Sequence, residues 1–123
     1  MEEECYDFEL EECVDYPFDS FGGQTKAIAG FAKYNIEGAE FFHMGQMFVL
    51  GSYPIHFHKT FDVSDKEPVI RSNSIHDSFS RCITIHASSG VRVEDNVAAD
   101  HFGHCFFLGM LNMYYWNGHK SET

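Results

Sequence analysis

One stretch of the chain occurs twice, as Asn73-Ser74-Ile75-His76-Asp77-Ser78-Phe79-Ser80-Arg81-Cys82-Ile83 and, 23 residues later, as Asn96-Val97-Ala98-Ala99-Asp100-His101-Phe102-Gly103-His104-Cys105-Phe106. The Asn, Asp, Phe and Cys positions of the two copies coincide. A repeat in the low twenties is about the length of one coil of a stacked β-solenoid, in which each coil adds a strand to a parallel sheet. The repeat therefore predicts an array of coils.

The rest of the chain supports an all-β fold, because no window shows sustained helical spacing of apolar residues. We expect strands at residues 28–31, 34–42, 53–58, 69–75, 83–86, 91–97 and 105–108. Three segments align as successive rungs of one sheet, and they are Ile55-His56-Phe57-His58, Ile83-Thr84-Ile85-His86 and Phe106-Phe107-Leu108-Gly109. In an earlier coil, Ile36 aligns with Ile70.

This alignment separates the two faces of the rungs, because side chains alternate across a strand. The predicted interior stacks Ile55, Ile83 and Phe106, followed by Phe57, Ile85 and Leu108. The opposite face stacks His56, Thr84 and Phe107, followed by His58, His86 and Gly109. Since parallel neighbours lie about 4.8 Å apart, His58 and His86 are expected to be neighbours. Crowded imidazoles disfavour double protonation, so at least one should stay neutral near pH 7.

The charge of the chain is concentrated at its start. The net charge is −11, and residues 1–19 contain nine acidic residues and no Lys or Arg. Basic residues are scattered singly, which argues against a nucleic-acid partner. No stretch approaches the roughly 20 apolar residues of a membrane span, and the acidic start does not resemble a secretory signal. We expect an irregular acidic leader and cap at 1–23, β-helix coils at 24–109 and a divergent C-terminal tail at 110–123.

The polar residues leave several chemistries open. Two imidazoles at His56 and His58 point the same way on a strand, so with His86 they could ligate a metal, or they could form a hydrogen-bonded surface ladder. We favour the ladder and expect no metal. Asp77 and Asp100 could act as paired acids in sugar hydrolysis, although a role in satisfying turns is the better explanation.

Three further pairs of residues lie one coil apart or close together in sequence. Asn73 and Asn96 are expected to form an internal amide ladder at a corner of the solenoid. Cys82 and Cys105 stack in register, and we favour free thiols over a bridge because stacking does not guarantee the required geometry. Cys5 and Cys13 could close a small disulfide loop in an extracellular protein.

A metal-dependent double-stranded barrel of the cupin type is a weaker alternative. Gly51 followed by His56-x-His58 suggests it, but the later spacing of Gly and His does not fit. The 23-residue repeat is also unexplained by such a barrel.

Several motifs, in order, resemble one known family. They are His43-Met44-Gly45-Gln46, Tyr53-Pro54-Ile55-His56-Phe57-His58, Ile75-His76-Asp77-Ser78-Phe79-Ser80-Arg81-Cys82 and Gly103-His104-Cys105-Phe106-Phe107. Together with the spacing of Cys5 and Cys13, they resemble the family of the cell migration-inducing hyaluronan-binding protein and the cell-surface hyaluronidase also called transmembrane protein 2. The resemblance covers roughly residues 5–108.

The resemblance implies a right-handed parallel β-helix, here a truncated solenoid of about three coils, in an extracellular or cell-surface protein. It also implies hyaluronan as partner, glycosaminoglycan hydrolysis as activity and calcium as a candidate cofactor. Under this hypothesis His58 and His86 are the candidate catalytic residues. His56, Arg81 and Thr84 are the candidate substrate-binding residues, and Arg81 could pair with a glucuronate carboxylate.

Two departures from the family pattern favour a chain that is incomplete for catalysis alone. Gly109 occupies the rung where the family usually has an acidic residue, and residues 109–123 do not resemble the family. The alternative function is therefore a non-catalytic carbohydrate-binding or structural β-helix segment. Open coil ends would also expose strand edges and allow self-association.

Overall fold

The computed structural model describes residues 20–109 and the backbone of two short strands before them. The strands are β1 Tyr6–Asp7, β2 Glu12–Cys13, β3 Thr25–Ile28, β4 Asn35–Glu37, β5 Glu40–Phe42, β6 Ile55–Asp62, β7 Val69–Arg71, β8 Ser74–Ser78, β9 Ile83–Ser89, β10 Arg92–Glu94, β11 Val97–His101 and β12 Phe106–Leu108, with one 3-10 turn at Ser64–Lys66. The rest of the predicted acidic leader, the predicted tail at 110–123 and the predicted pairing of Cys5 with Cys13 lie outside the described residues.

Three parallel sheets run along the molecule and form a parallel β-helix, as predicted. The sheets have the strand orders β3-β6-β9-β12, β4-β7-β10 and β5-β8-β11. Each strand pairs with the equivalent strand of the neighbouring coil, and only β1 and β2 pair in antiparallel fashion among the named strands. The chain therefore winds through three sides per coil, and each turn of the winding lies on the one before.

The predicted register of the rungs is confirmed. Ile55 pairs with Ile83 and His58 with His86, and Phe106 continues the column below Ile83. In the neighbouring sheet, Ile36 pairs with Ile70 as expected.

Several predicted strand boundaries were wrong. The predicted strand at 34–42 is two strands, β4 and β5, and the strand β11 was not predicted. The first strand is Thr25–Ile28 and not residues 28–31, and it adds a fourth rung by placing Ala27 over Phe57. The predicted strand at 69–75 is two strands, β7 and β8, because the chain turns a corner at Ser72. Apolar residues continue across that corner, so their pattern did not mark the break.

Corners of successive coils adopt the same left-handed backbone conformation. Gly38, Ser72 and Asp95 have φ of 64°, 56° and 52° at the first corner. Asp77 and Asp100 have φ of 47° and 46° one coil apart. Asp tolerates this conformation better than most residues do, which supports a local backbone role for the two aspartates.

An amide ladder satisfies the buried backbone at the first corner, as predicted. Asn73, which is 1% exposed, donates to the Ile36 carbonyl at 3.1 Å and accepts from the Ala39 amide at 3.0 Å. Its side-chain amide also donates to Asn96 Oδ1 at 2.9 Å, and Asn96 in turn donates to the Ile70 carbonyl. One side chain thus ties each coil to the next.

The interior is apolar and well covered in the middle of the stack. Its buried members are Ala27, Ile55, Phe57, Ile70, Ile75, Cys82, Ile83 and Ile85. At the last described rung, Phe106 and Leu108 are 53% and 70% exposed, because no strand among the described residues lies beyond β12. The interior column is therefore open at that end of the described structure.

Cys82 and Cys105 form a disulfide, so the expectation of free thiols was wrong. Their Cα atoms lie 4.5 Å apart, within the range that a disulfide spans. In-register stacking of adjacent coils places the two sulfurs within bonding distance, and the bridge then closes one complete coil.

Asn73→Ala should lower the free energy of unfolding by about 3 kcal/mol, because it leaves the Ile36 carbonyl and the Ala39 amide without their partner. Urea denaturation followed by circular dichroism measures the change. Asn35→Ala, at an exposed position of β4, is the matched control and should stay within about 0.5 kcal/mol of the parent. An equal effect of the two substitutions would contradict the role of the ladder.

Replacing both Cys82 and Cys105 by Ala should lower the free energy of unfolding by about 3 kcal/mol, since the bridge closes a loop with a sequence separation of 23. Denaturation under oxidising conditions measures this loss. Reductant applied to the double variant reports any contribution of Cys5 and Cys13 separately. Recovery of alkylated Cys82 from the unreduced protein by peptide mass spectrometry would count against the bridge.

Candidate functional site

Three histidines converge on one side of the four-stranded sheet. His56 and His58 lie two residues apart on β6, and His86 lies on β9 in register with His58. The Nδ1 atoms of His58 and His86 are 3.2 Å apart. One ring nitrogen from each of the three side chains lies within 4.8 Å of the other two. The expectation that His58 and His86 are neighbours is therefore confirmed.

His56 is the buried member of this cluster. It is 2% exposed, and its ring contacts the Tyr53 ring at a centroid distance of 4.9 Å. Its Nδ1 lies 3.0 Å from the Gly51 carbonyl, which can only accept a hydrogen bond, so Nδ1 carries the proton. Nε2 is buried and has no hydrogen-bond partner.

Burial makes the neutral form of the cluster favourable. Desolvation, with the nearby His58 as a smaller cause, lowers the pKa of His56 to about 4, and the hydrogen bond to Gly51 only partly opposes this. Desolvation and the adjacent His86 also lower the pKa of His58. These directions agree with the prediction that crowded imidazoles stay neutral near pH 7.

Two of the predicted substrate-binding residues, His56 and Thr84, are covered. Thr84, like His56, is 2% exposed, and its hydroxyl has no hydrogen-bond partner. A polymer on the surface would meet neither side chain in this conformation. Of the three predicted substrate-binding residues, Arg81 is the one that presents surface.

Arg81 lies just before β9 and is held by aromatic rings. Its guanidinium carbon lies 3.8 Å from the centroid of the Phe107 ring and 5.6 Å from that of Tyr53. Such stacking restricts a long side chain while leaving its N–H groups free to donate. Within the described residues, no carboxylate forms an ion pair with Arg81.

Arg81 borders an open cleft of about 310 Å³. The cleft is lined by Gln46, Met47, Phe48, Val49, Leu50, Tyr53, Phe79, Ser80, Arg81, Phe102 and Gly103. Phe48 and Phe102 are 94% and 54% exposed. Arg81 is the one charged residue in this lining, so the cleft combines apolar rings with a single fixed cation.

The segment at residues 46–52 forms one wall of the cleft, and close packing holds its ends. The Gln46 amide donates to the Ser52 carbonyl at 3.0 Å, and the Ser80 hydroxyl donates to the same carbonyl at 2.8 Å. Gly45 has φ of 78°, and a Cβ there would collide with the Ser80 hydroxyl. Glycine is therefore required at position 45. The backbone conformation that it allows directs residues 46–52 over the sheet and places Gly51 in contact with His56.

The other predicted polar residues lie outside this cluster. Asp77 accepts a hydrogen bond from His76, whose second nitrogen lies 2.8 Å from Glu40. These contacts, with Asp77 the larger cause, raise the pKa of His76.

Gly109 does lie beside His86, as predicted, and a Cβ there would be 3.1 Å from the imidazole. A larger residue at this position would require the His86 and Phe107 rings to shift by a few tenths of an ångström.

Calcium does not fit the clusters of potential ligands among residues 20–109. Calcium takes six to eight oxygen ligands, whereas the two clusters found are His56-His58-His86 and Cys82-His101-Cys105. The second is made of disulfide-bonded sulfurs and one imidazole. Nitrogen ligands favour zinc, copper or nickel over calcium.

Sequence reasoning missed most of the cleft. The fourth rung was detectable from the alternation in Thr25–Ile28, where Ala27 points inward. Phe79 and Phe102 occupy equivalent positions of the 23-residue repeat, so the sequence did place them in adjacent coils. Phe48 carried no spacing signal, because its position depends on how residues 46–52 fold over the sheet.

Comparison with known proteins places this geometry in a family. The CEMIP beta-helix family model matches residues 20–109. The chain belongs to the CEMIP β-helix family. The match begins and ends with the described coils, and it confirms the resemblance found in the sequence motifs.

Curated relatives in this family are far longer than the chain. It is 46% identical to the human cell migration-inducing and hyaluronan-binding protein over 112 residues, which are 87% of this chain and 8% of that protein. It is 41% identical to a zebrafish cell surface hyaluronidase over 88% of this chain and 8% of that protein. Human fibrocystin-L is 35% identical over 83% of this chain and 3% of that protein.

No solved structure matches the chain. Within the part of the chain that the structure describes, no helical segment has the length and hydropathy needed to traverse a bilayer. This CEMIP β-helix thus corresponds to a small section of its relatives.

The low pKa of His56 predicts a loss of stability in acid. His56 is protonated more easily in the unfolded chain, where its pKa is near 6.5, than in the folded protein. The contribution of neutral His56 to the free energy of unfolding is therefore complete above about pH 6.5 and disappears as the pH falls toward 4. The loss should be about 3 kcal/mol relative to a His56→Asn variant, measured by urea denaturation with chelator present at pH 7 and pH 4.

Nuclear magnetic resonance titration supplies a direct measurement of the same property. The His56 ring resonance should titrate with a midpoint near 4. A His56 midpoint at or above 6 would show that burial does not control its charge.

Proposed function

We propose that this chain is a hyaluronan-binding segment of a longer CEMIP-family protein, and that its cleft around Arg81 contacts the polysaccharide. The observation that carries the proposal is the guanidinium fixed at the edge of an open aromatic cleft. Two relatives that match this chain over 87% and 88% of its length are named for hyaluronan binding and for hyaluronidase activity.

The charge of the cleft suits an acidic polymer of modest charge density. Each disaccharide of hyaluronan carries one glucuronate carboxylate, and Arg forms bidentate hydrogen bonds with carboxylates. Stacking on Phe107 and Tyr53 reduces the freedom that Arg81 would lose on binding. The interaction is therefore pre-organised, which raises the affinity that a single charge can contribute.

The exposed rings supply the second part of the recognition. Phe48 and Phe102 offer flat apolar faces, and the C–H face of a pyranose ring packs against such surfaces. A cleft of about 310 Å³ is at the lower end of the size of small-ligand sites. It is therefore suited to one or two sugar residues of a longer chain.

The proposed location is outside the cell or on its surface. A disulfide between Cys82 and Cys105 is stable in oxidising compartments and rare in the cytosol. The zebrafish relative's name places that protein at the cell surface. Self-association through the open end at Phe106 and Leu108 stays a prediction.

Hydrolysis of the polymer is a second candidate function, which the pair of His58 and His86 favours through its closely spaced, part-buried nitrogens. Glycoside hydrolysis generally uses two carboxylates across the scissile bond, and the residues lining the cleft include no Asp or Glu. We therefore propose that the segment binds without cleaving, and that depolymerisation requires other parts of the longer protein.

Arg81→Ala should weaken binding of hyaluronan oligosaccharides to the purified chain by about tenfold or more, because a charge-assisted hydrogen-bond pair is lost. Biolayer interferometry with oligosaccharides of eight to ten sugars measures the affinity. Polymer length after incubation is measured on the same samples and should not change.

Arg92→Ala, on the exposed part of β10, removes the same charge elsewhere and should leave the affinity within twofold of the parent. Carboxyl-reduced hyaluronan should bind the parent as weakly as hyaluronan binds the Arg81 variant. Equal binding by the parent and Arg81→Ala would refute the assigned cleft, and a shortened polymer that depends on His58 would establish the second candidate.

A further inference from the structure

We propose that His56, His58 and His86 form a binding site for a divalent transition metal ion of the zinc class. The inference goes beyond the proposed function and does not depend on hyaluronan binding. It rests on the spacing of three imidazole nitrogens and on one buried nitrogen that the protein leaves without a partner.

The spacing of the two part-exposed histidines suits a shared ion. Tetrahedral zinc with bonds of about 2.0–2.1 Å holds two ligand nitrogens about 3.3 Å apart. The Nδ1 atoms of His58 and His86 lie 3.2 Å apart. Their rings are tilted by 51° at a centroid distance of 5.1 Å, so they do not stack flat against each other. The two nitrogens can therefore approach one point from adjacent rungs.

His56 supplies the third ligand in the protonation state that ligation requires. The Gly51 carbonyl accepts from Nδ1–H, which leaves the lone pair on Nε2. Metal-ligating histidines commonly donate their other ring N–H to a backbone carbonyl in this way, which fixes the tautomer and orients the ring. The segment that bends at Gly51 thus prepares His56 for coordination.

The unpartnered Nε2 atom is the independent observation. His56 is 2% exposed, and its Nε2 is buried without a hydrogen bond. A buried polar atom of this kind is unfavourable unless something satisfies it. A bound cation would satisfy it, whereas the hydrogen bond between His58 and His86 would not.

Two lysines lie near the cluster. Lys26 is in register with His56 and Lys59 follows His58, and both are exposed, so each side chain can turn toward water. Three neutral imidazoles suit zinc, and they do not suit calcium. Because His58 and His86 are part-exposed, a water molecule can complete the coordination from the solvent side.

Such a site would cross-link the fold in addition to binding an ion. His56 and His58 belong to β6, and His86 belongs to β9, so the ion would bridge successive coils. Ligation would also occupy the nitrogens that a proton-transfer role of His58 and His86 would need.

The test uses the full chain without an affinity tag, oxidised and freed of metal by chelator. Isothermal titration with Zn²⁺ should show one ion per chain with micromolar or tighter dissociation, and zinc should raise the melting temperature. Titration with Co²⁺ should produce the intense visible absorption of a tetrahedral nitrogen-ligated site.

The variants His58→Ala and His86→Ala should each weaken zinc binding by at least tenfold and abolish the cobalt absorption. His104→Ala removes an exposed histidine outside the cluster and should leave both unchanged. His58→Asn gives a second, more conservative variant, and circular dichroism confirms that each protein is folded.

Three results would overturn the site. The first is an absence of zinc binding by the parent below 100 µM, a threshold about two orders of magnitude above micromolar affinity. The second is retention of the cobalt absorption in both alanine variants, and the third is a loss of zinc binding in His104→Ala as large as that in the two cluster variants. Hyaluronan affinity of the Arg81 variant is measured separately, so failure of the metal site and failure of the proposed cleft can be told apart.

Discussion

In-register pairing of parallel strands is the constraint on which the structure depends. Each residue of a coil lies beside its counterpart in the next coil, about 4.8 Å away, and backbone hydrogen bonds maintain this relation along three sheets. The nearest neighbour of a side chain is therefore a residue one coil distant in sequence. Equivalent residues of successive coils therefore form a column of neighbouring side chains, and the interactions within these columns determine the chemical properties of the molecule.

Several features of the molecule follow from that single relation. Asn73 and Asn96 hydrogen-bond because they occupy the same corner of adjacent coils. Cys82 and Cys105 form a disulfide for the same reason. His58 contacts His86 because β6 and β9 are adjacent strands of one sheet. The same stacking therefore has three chemical outcomes. Stacked amides hydrogen-bond to each other, stacked thiols form a disulfide, and stacked imidazoles repel each other when both are charged.

Insertions between the coils give the site its particular character. Coils separated by 23 residues carry no excursion, whereas Ala39 and Asn73 are separated by 34 residues. One excursion, residues 46–52, folds back over the sheet, buries His56 and lines the cleft beside Arg81. The coils supply a rigid support, and the inserted segment determines what solvent and ligands can reach.

The sequence by itself determined the stacking and its register. The repeat of residues 73–82 at residues 96–105 predicted a solenoid. Alternation along each strand, with the strands aligned at Ile55, Ile83 and Phe106, predicted which side chains contact each other. These predictions succeeded because parallel pairing translates sequence period directly into spatial contact. The family could likewise be inferred from several separated motifs that occur in the order typical of that family.

Only the tertiary structure decided what the columns do. It showed that Cys82 and Cys105 are bonded, that Thr25–Ile28 adds a rung, and that His56 and Thr84 are covered. Alternation identifies the face on which a side chain lies, but it carries no information about an inserted loop that folds across that face. The wall of the cleft at residues 46–52 and the burial of His56 depend on that loop, so the periodicity of the sequence could not reveal them.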